Sequence, residues 1–223
     1  MIKKNSRDLV GYGKKGKIIS WPNNAKLAVQ FVLNYEEGGE NSVLNGDKYS
    51  ETFLSEIIGA KAIKGRHISM ESIYEYGSRA GFWRLDKLFK EKKIPVTIFG
   101  VGLALKQNPD VCDAIKGGNY EIAAHGYRWI DYQNIKKSIE KKHMQQVIKT
   151  IKDIFGSRPL GWYTGRCSPN TRDLVFDDGG FLYDSDSYSD DLPYWEYRGK
   201  KKQLIVPYTL DNNDMRFATN QGF

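Results

Sequence analysis

Histidine is scarce in this chain of 223 residues: His67, His125 and His143 are the only three. A hydrolytic zinc site needs at least three good protein ligands plus an open position for water. No two of these histidines share a helix face or a turn, and Trp129 stands one helical turn after His125, where a second ligand would be wanted. Metal-activated water is a poor first expectation, and no metal or other cofactor is expected. Cysteine is scarcer still. Cys112 and Cys167 lie far apart in different predicted elements, which argues against a disulfide framework and for two free thiols, Cys112 packing in a helix. Long apolar runs are missing, so no span of a bilayer is expected. The N-terminus begins basic but lacks the apolar core and small-residue cleavage site of a signal peptide, which points to the cytoplasm. Neither a GxGxxG turn nor a GxxxxGK[ST] loop occurs, and there is no repeat or low-complexity linker.

What is present is a packable chain, 40% hydrophobic and 13% aromatic, long enough for one α/β domain over residues 1–223. The net charge of +7 raises the question of nucleic acid. The lysines, however, are spread along predicted helices, as in Lys136, Lys137, Lys141, Lys142, Lys149 and Lys152, which reads as a solvated face. Only Lys200-Lys201-Lys202 forms a tight run, expected in a surface turn. No nucleic acid and no membrane partner is expected, and homo-oligomerisation stays open.

Short apolar runs alternate with helical patterns. Strands are predicted at 27–33, 96–99, 121–124, 160–163, 181–183 and 204–208. Helices are predicted at about 78–92, at 109–116 opening on Asn108 and closing at Gly117-Gly118, at 134–155, and after Pro169 with Asn170 as N-cap. Such alternation implies parallel strands with helical crossovers. Charged or ionisable residues follow five of the strands: Glu36-Glu37, His125, Arg166, Asp184-Ser185-Asp186 and Asp211. A barrel gathers such groups on one face, whereas an open doubly wound sheet concentrates them at one switch point. The spread over five strand ends favours a barrel.

These residues resemble the polysaccharide deacetylase superfamily, whose fold is a distorted (β/α) barrel. More closely, Asn34-Tyr35-Glu36-Glu37-Gly38-Gly39-Glu40, the segment from Met70 to Arg84, Gly161-Trp162-Tyr163-Thr164-Gly165-Arg166, Asp184-Ser185-Asp186-Ser187-Tyr188 and Asp190-Asp191-Leu192-Pro193-Tyr194 are similar to the cofactor-independent bacterial allantoinases. The match covers nearly all of the chain from Arg7 onward. Typical deacetylases carry Asp-Asp where this chain has Glu36-Glu37, and His-x-x-x-His where it has His125 and Trp129. Both departures are shared by the allantoinase branch. Members continue past the motif resembling Asp214-Met215-Arg216-Phe217 through further helix and strand segments. A C-terminally truncated barrel, missing its last strand and helix, is therefore expected.

The resemblance implies a hydrolase of purine catabolism that opens a cyclic ureide, allantoin, to allantoate. Glu36 or Glu37 is the candidate base, since adjacent carboxylates can raise one another's pKa; the alternative is an exposed loop pair. His125 is the candidate proton donor or shuttle, against a satisfied residue of the core or rim. Arg166 is expected to hold a carbonyl or carboxylate, or else to form a surface ion pair with Asp184 or Asp186. Those two aspartates are candidate acceptors for substrate N–H groups, though Asp-Ser-Asp is also common turn chemistry. Trp129 is expected as an aromatic wall or as core packing, His67 as structural or at a pocket rim, and His143 as solvent-facing. Competing expectations are an N-deacetylase of chitooligosaccharides and an inactive barrel fragment that only binds.

Overall fold

The first strand begins where its neighbour can pair with it. In the computed structural model, which describes residues 7–57 and 59–218, β1 spans Phe31–Tyr35 and its register with the next strand starts at Phe31 opposite Val96. Pro95, just before Val96, has no N–H to give a ladder. Residues 27–30, expected to open this strand, are not in it. They belong to a separate small unit, Met1–Gln30, whose described part holds two 3₁₀ turns, Gly13–Lys15 and Pro22–Asn24. In that unit Asp8 accepts the backbone N–H groups of Val10 and Gly11, a local Asx turn.

The larger unit, Phe31–Phe223, carries the rest. After β1 come α1 (Ile68–Tyr76), α2 (Phe82–Lys92), β2 (Val96–Gly100), α3 (Gly102–Gln107), α4 (Pro109–Lys116), β3 (Tyr120–Ala124) and α5 (Lys137–Phe155). Then follow β4 (Gly161–Trp162), α6 (Thr171–Asp178), β5 (Tyr183–Asp184), β6 (Tyr194–Arg198), β7 (Lys201–Ile205) and α7 (Met215–Ala218). The helix expected from Ser78 starts earlier, at Ile68, where the Nδ1 of His67 accepts the N–H of Met70. A π-helical turn, Gly77–Gly81, joins α1 to α2. α4 has the expected bounds, with the Asn108 side chain capping Val111. Asn170 sits at the start of α6 but makes no side-chain cap bond; its own backbone is already helical, not the extended form of a capping residue.

Seven strands form one sheet in the order β1-β2-β3-β4-β5-β7-β6, all parallel except the β6–β7 hairpin. Of the Lys200–Lys202 run only Lys200 lies in this hairpin's turn, and Lys201 and Lys202 open β7, so it is only partly a surface turn. From β1 to β5 each strand neighbours its predecessor. That winding is a barrel's, since a doubly wound sheet reverses direction at its switch point. Among the described residues no ladder joins β1 to β6.

Alternation along the strands sorts the side chains into two cores. Ile98, Val101, Leu105, Val111, Val147 and Ile151 pack between sheet and helices. The opposite face carries layers set by register: Thr97, Glu121 and Tyr183 joined by hydroxyl–carboxylate hydrogen bonds, then Phe99, Ala123 and Tyr163. Above them the Nδ2 of Asn34 donates to the hydroxyl of Tyr208, tying β1 to the segment after β7. No helix among the described residues is long and apolar enough to cross a membrane.

Candidate active site

Asn34 and Glu36 share a face two residues apart, and β1 ends at Tyr35, so Glu36 emerges at the carboxyl end of the inner face. Its Oε1 lies 2.9 Å from the Nε2 of His125, the first residue past β3. The Nδ1 of His125 is 3.0 Å from the carbonyl oxygen of Tyr163, and the imidazole stacks on the Tyr163 ring. A carbonyl oxygen only accepts, so Nδ1 carries a proton. The Nε2–Oε1 contact then needs one more proton, held by the imidazolium or by the carboxylic acid. The pair therefore stores one proton. The His125 side chain is 1% exposed and that of Glu36 19%, so the carboxyl is the member that meets an incoming molecule. With both ring nitrogens engaged, His125 has no N–H left for a substrate oxygen, and a shuttle through Glu36 is the geometry present.

Glu37 points elsewhere. Its Oε2 accepts the backbone N–H of Glu36 at 3.0 Å, and its carboxyl lies where a side chain at Gly77 would stand. It lines a separate cavity of about 290 Å³ with Tyr35, Glu40, Glu71 and Asn108. Burial pushes the Glu37 carboxyl up to about 7, with the charges of Glu36 and Glu40 adding to it. Desolvation thus outweighs mutual repulsion, the cause expected from the adjacent pair.

Two loops close over Glu36 and are stitched together. Gly38 has φ +95° and Gly126 φ +69°, backbone that an L side chain rarely adopts. The N–H of Trp129 donates to the carbonyl of Gly39, while Arg128 donates to the carbonyls of Gly39 and Glu40 and pairs with Asp47 at 2.5 Å. Trp129 is thereby held at the site, 8% exposed, against Phe53 and Tyr74. The guanidinium of Arg166 lies 3.6 Å from the Trp129 ring centroid and 5.0 Å from that of Phe53. Its ion-pair partner is Glu51 at 3.7 Å, and not Asp184 or Asp186 as one expectation had it.

The two aspartates are occupied by the protein. Asp184 has no exposed surface; its carboxyl takes Arg172 at 2.7 Å and the N–H of Asp186 at 2.8 Å. Asp186 accepts from the Trp162 indole, the Thr164 hydroxyl and the N–H groups of Thr164 and Gly165. The Asp-Ser-Asp segment fixes the loop that carries Arg166, and neither carboxylate reaches Glu36. His143, expected to face solvent, is half-buried, with Nδ1 2.9 Å from the Tyr132 hydroxyl and its ring beside Tyr127; burial, then Arg128, lowers its pKa. Its place one residue before buried Met144 on α5 gave the sequence no such signal.

Sequence reasoning missed Glu51, Phe53, Tyr74 and Arg128. All lie in the segment 41–67 or in helix and loop positions whose polarity looks like surface, and only the folded loops show their burial. Tyr163 was read as strand, although its carbonyl sets the His125 tautomer.

The donor set does not suit a zinc ion. His125 offers no free nitrogen, Glu37 faces away, and among the described residues no three His, Cys, Asp or Glu side chains converge.

Residues 64–183 match the family model for polysaccharide deacetylase. A Schizosaccharomyces pombe protein assigned to the polysaccharide deacetylases is 43% identical, over 98% of this chain and 74% of its own. Among solved structures, the allantoinase PuuE is 55% identical with a TM-score of 0.93, across 99% of this chain and 74% of that one. A probable polysaccharide deacetylase from Pseudomonas aeruginosa PAO1 is also 55% identical with a TM-score of 0.93, across 98% of this chain and 74% of that one.

Proposed function

The chain belongs to the polysaccharide deacetylase family, and on that footing we propose that it is a hydrolase opening a cyclic amide, taking allantoin to allantoate. The observation that carries the reading is the Glu36–His125 pair at 2.9 Å, with Trp129 in place of a second ligand. Amide hydrolysis needs a proton for the leaving nitrogen and a group to take one from water. The pair supplies both in turn. With the stored proton on the imidazole, the Glu36 carboxylate takes one from the water as its oxygen bonds to the carbonyl carbon, and then gives that proton to the ring nitrogen as the C–N bond breaks. His125 keeps its place and tautomer throughout because Tyr163 holds Nδ1. Arg166, flat against Trp129, is the candidate anchor for the ureido carbonyl or the new carboxylate.

The 55% identity to PuuE supports the choice of substrate. The same identity to a probable polysaccharide deacetylase makes the sugar substrate the rival. Chelator-treated protein is incubated with allantoin and, separately, with N-acetylglucosamine oligomers. Allantoate formation without added zinc is the expected result. Acetate release from the oligomers with the allantoin ring left intact, or full dependence on zinc, overturns the reading.

A further inference from the structure

Glu51 is an acidic residue in a loop with no regular structure, yet it is buried, 7% exposed. Its Oε1 accepts the backbone N–H groups of Thr52 and Phe53 at 2.9 and 3.0 Å, and its Oε2 accepts the Asn41 amide at 3.0 Å. These bonds hold the turn that presents Phe53. The remaining direction of Oε2 faces the Nη1 of Arg166 at 3.7 Å. Arg166 is therefore fixed three ways: one face on Trp129, a second aromatic contact from Phe53, and one edge toward Glu51. A guanidinium carries five N–H donors in one plane, so fixing one edge aims the others. The clamp is tied to the loop that follows Glu36, because the N–H of Trp129, on which Arg166 lies, donates to the carbonyl of Gly39. Tyr74, whose ring packs on Trp129 and whose hydroxyl points at the Phe53 carbonyl, feels the charges of Glu51, Glu36 and Arg166 together.

We infer that Glu51 is a positioning residue that sets substrate selectivity through Arg166, favouring molecules with a planar ureido or carboxylate acceptor beyond the scissile ring. This rests on the hydrolase reading above. Allantoin has such an arm, and hydantoin is the same ring without it. Glu51 does not touch substrate; it orders the guanidinium that does, and so reduces what binding must immobilise.

Glu51→Gln is the informative variant: its amide oxygen still accepts the N–H groups of Thr52 and Phe53, its NH2 can donate to Asn41 once that amide turns over, and the charge facing Arg166 is gone. KM for allantoin is expected to rise roughly tenfold with kcat within about twofold, the signature of lost uniform binding. The preference for allantoin over hydantoin should fall by a similar factor, and hydantoin kinetics should barely change. Arg166→Lys should lose the same preference, since a point charge neither stacks nor forks. A merely structural Glu51 would lower the melting temperature and kcat and leave KM and the preference intact, which overturns the inference while the hydrolase reading stands. Allantoate binding by calorimetry separates the two failures. A wild-type chain that opens no allantoin but binds allantoate more tightly than Glu51→Gln keeps the inference and loses the reading; equal binding by both chains, or none by either, overturns the inference.

Discussion

At the scale of single residues, the site divides two adjacent glutamates that look alike in sequence. Glu36 faces His125 and Glu37 faces a cavity beside the π turn, because successive residues past a strand point to opposite sides. Glu36→Gln is expected to lower kcat for allantoin by about 10²–10⁴-fold, the usual worth of a general acid–base group, with a melting temperature close to that of the parent. His125→Asn should fall as far, since it removes the imidazole that shares Glu36's proton. Equal kcat in either variant would remove the pair from the chemistry.

Glu37 gives a pH dependence with a definite sign. Its folded pKa is pushed up to about 7 from the ordinary 4.5. Between those values the folded state holds a proton that the unfolded state has lost, so this residue's contribution is fully present below pH 4.5 and is lost as pH rises through 7. Thermal melts from pH 5 to 8 should show stability falling as pH rises, and Glu37→Gln should flatten that slope. A slope unchanged in the variant would mean that another group titrates there.

At the scale of elements, the longest helix is tied to the start of α6 by a buried acid. Glu140 on α5 is 2% exposed and accepts the hydroxyls of Ser168 and Thr171 at the start of α6. Glu140→Ala leaves two hydroxyls without partners in a closed space and is expected to cost about 2–4 kcal/mol in urea unfolding. Glu140→Gln should lose less. At this scale much was legible in the sequence. α4 has the bounds that Asn108 and Gly117-Gly118 mark, and β2 and β3 sit within a residue of their apolar runs. α1 and β6 were not legible. α1 begins on a histidine cap and has only Met70 and Tyr74 buried, and β6 exposes Trp195 and Tyr197, so neither has a strong apolar period to announce it.

At the scale of the whole molecule, the donor geometry predicts indifference to zinc. A metal held by the native fold at a hundred times its Kd would add about 2.7 kcal/mol, enough to move a melting curve by several degrees. Melting curves with zinc and with chelator should coincide; a rise with zinc would show a ligand set that the described residues do not form. The +7 charge has no counterpart in the site, where Arg166 faces Glu51 and Glu36 faces His125.

The sequence by itself determined the parallel α/β winding and the short list of chemical groups, because strand periods, caps and strand-end residues are local features of the chain. It also marked the Trp129 position, since the ligand spacing on a turn is read along the chain. Only tertiary structure decided how those groups are used. Asp184 and Asp186 went to Arg172 and to loop donors, Arg166 went to Trp129 and Glu51, and one glutamate of two went to His125. The reason is physical: a buried charge must find a partner to offset its lost hydration, and which partner is nearest depends on loops brought together from distant parts of the chain.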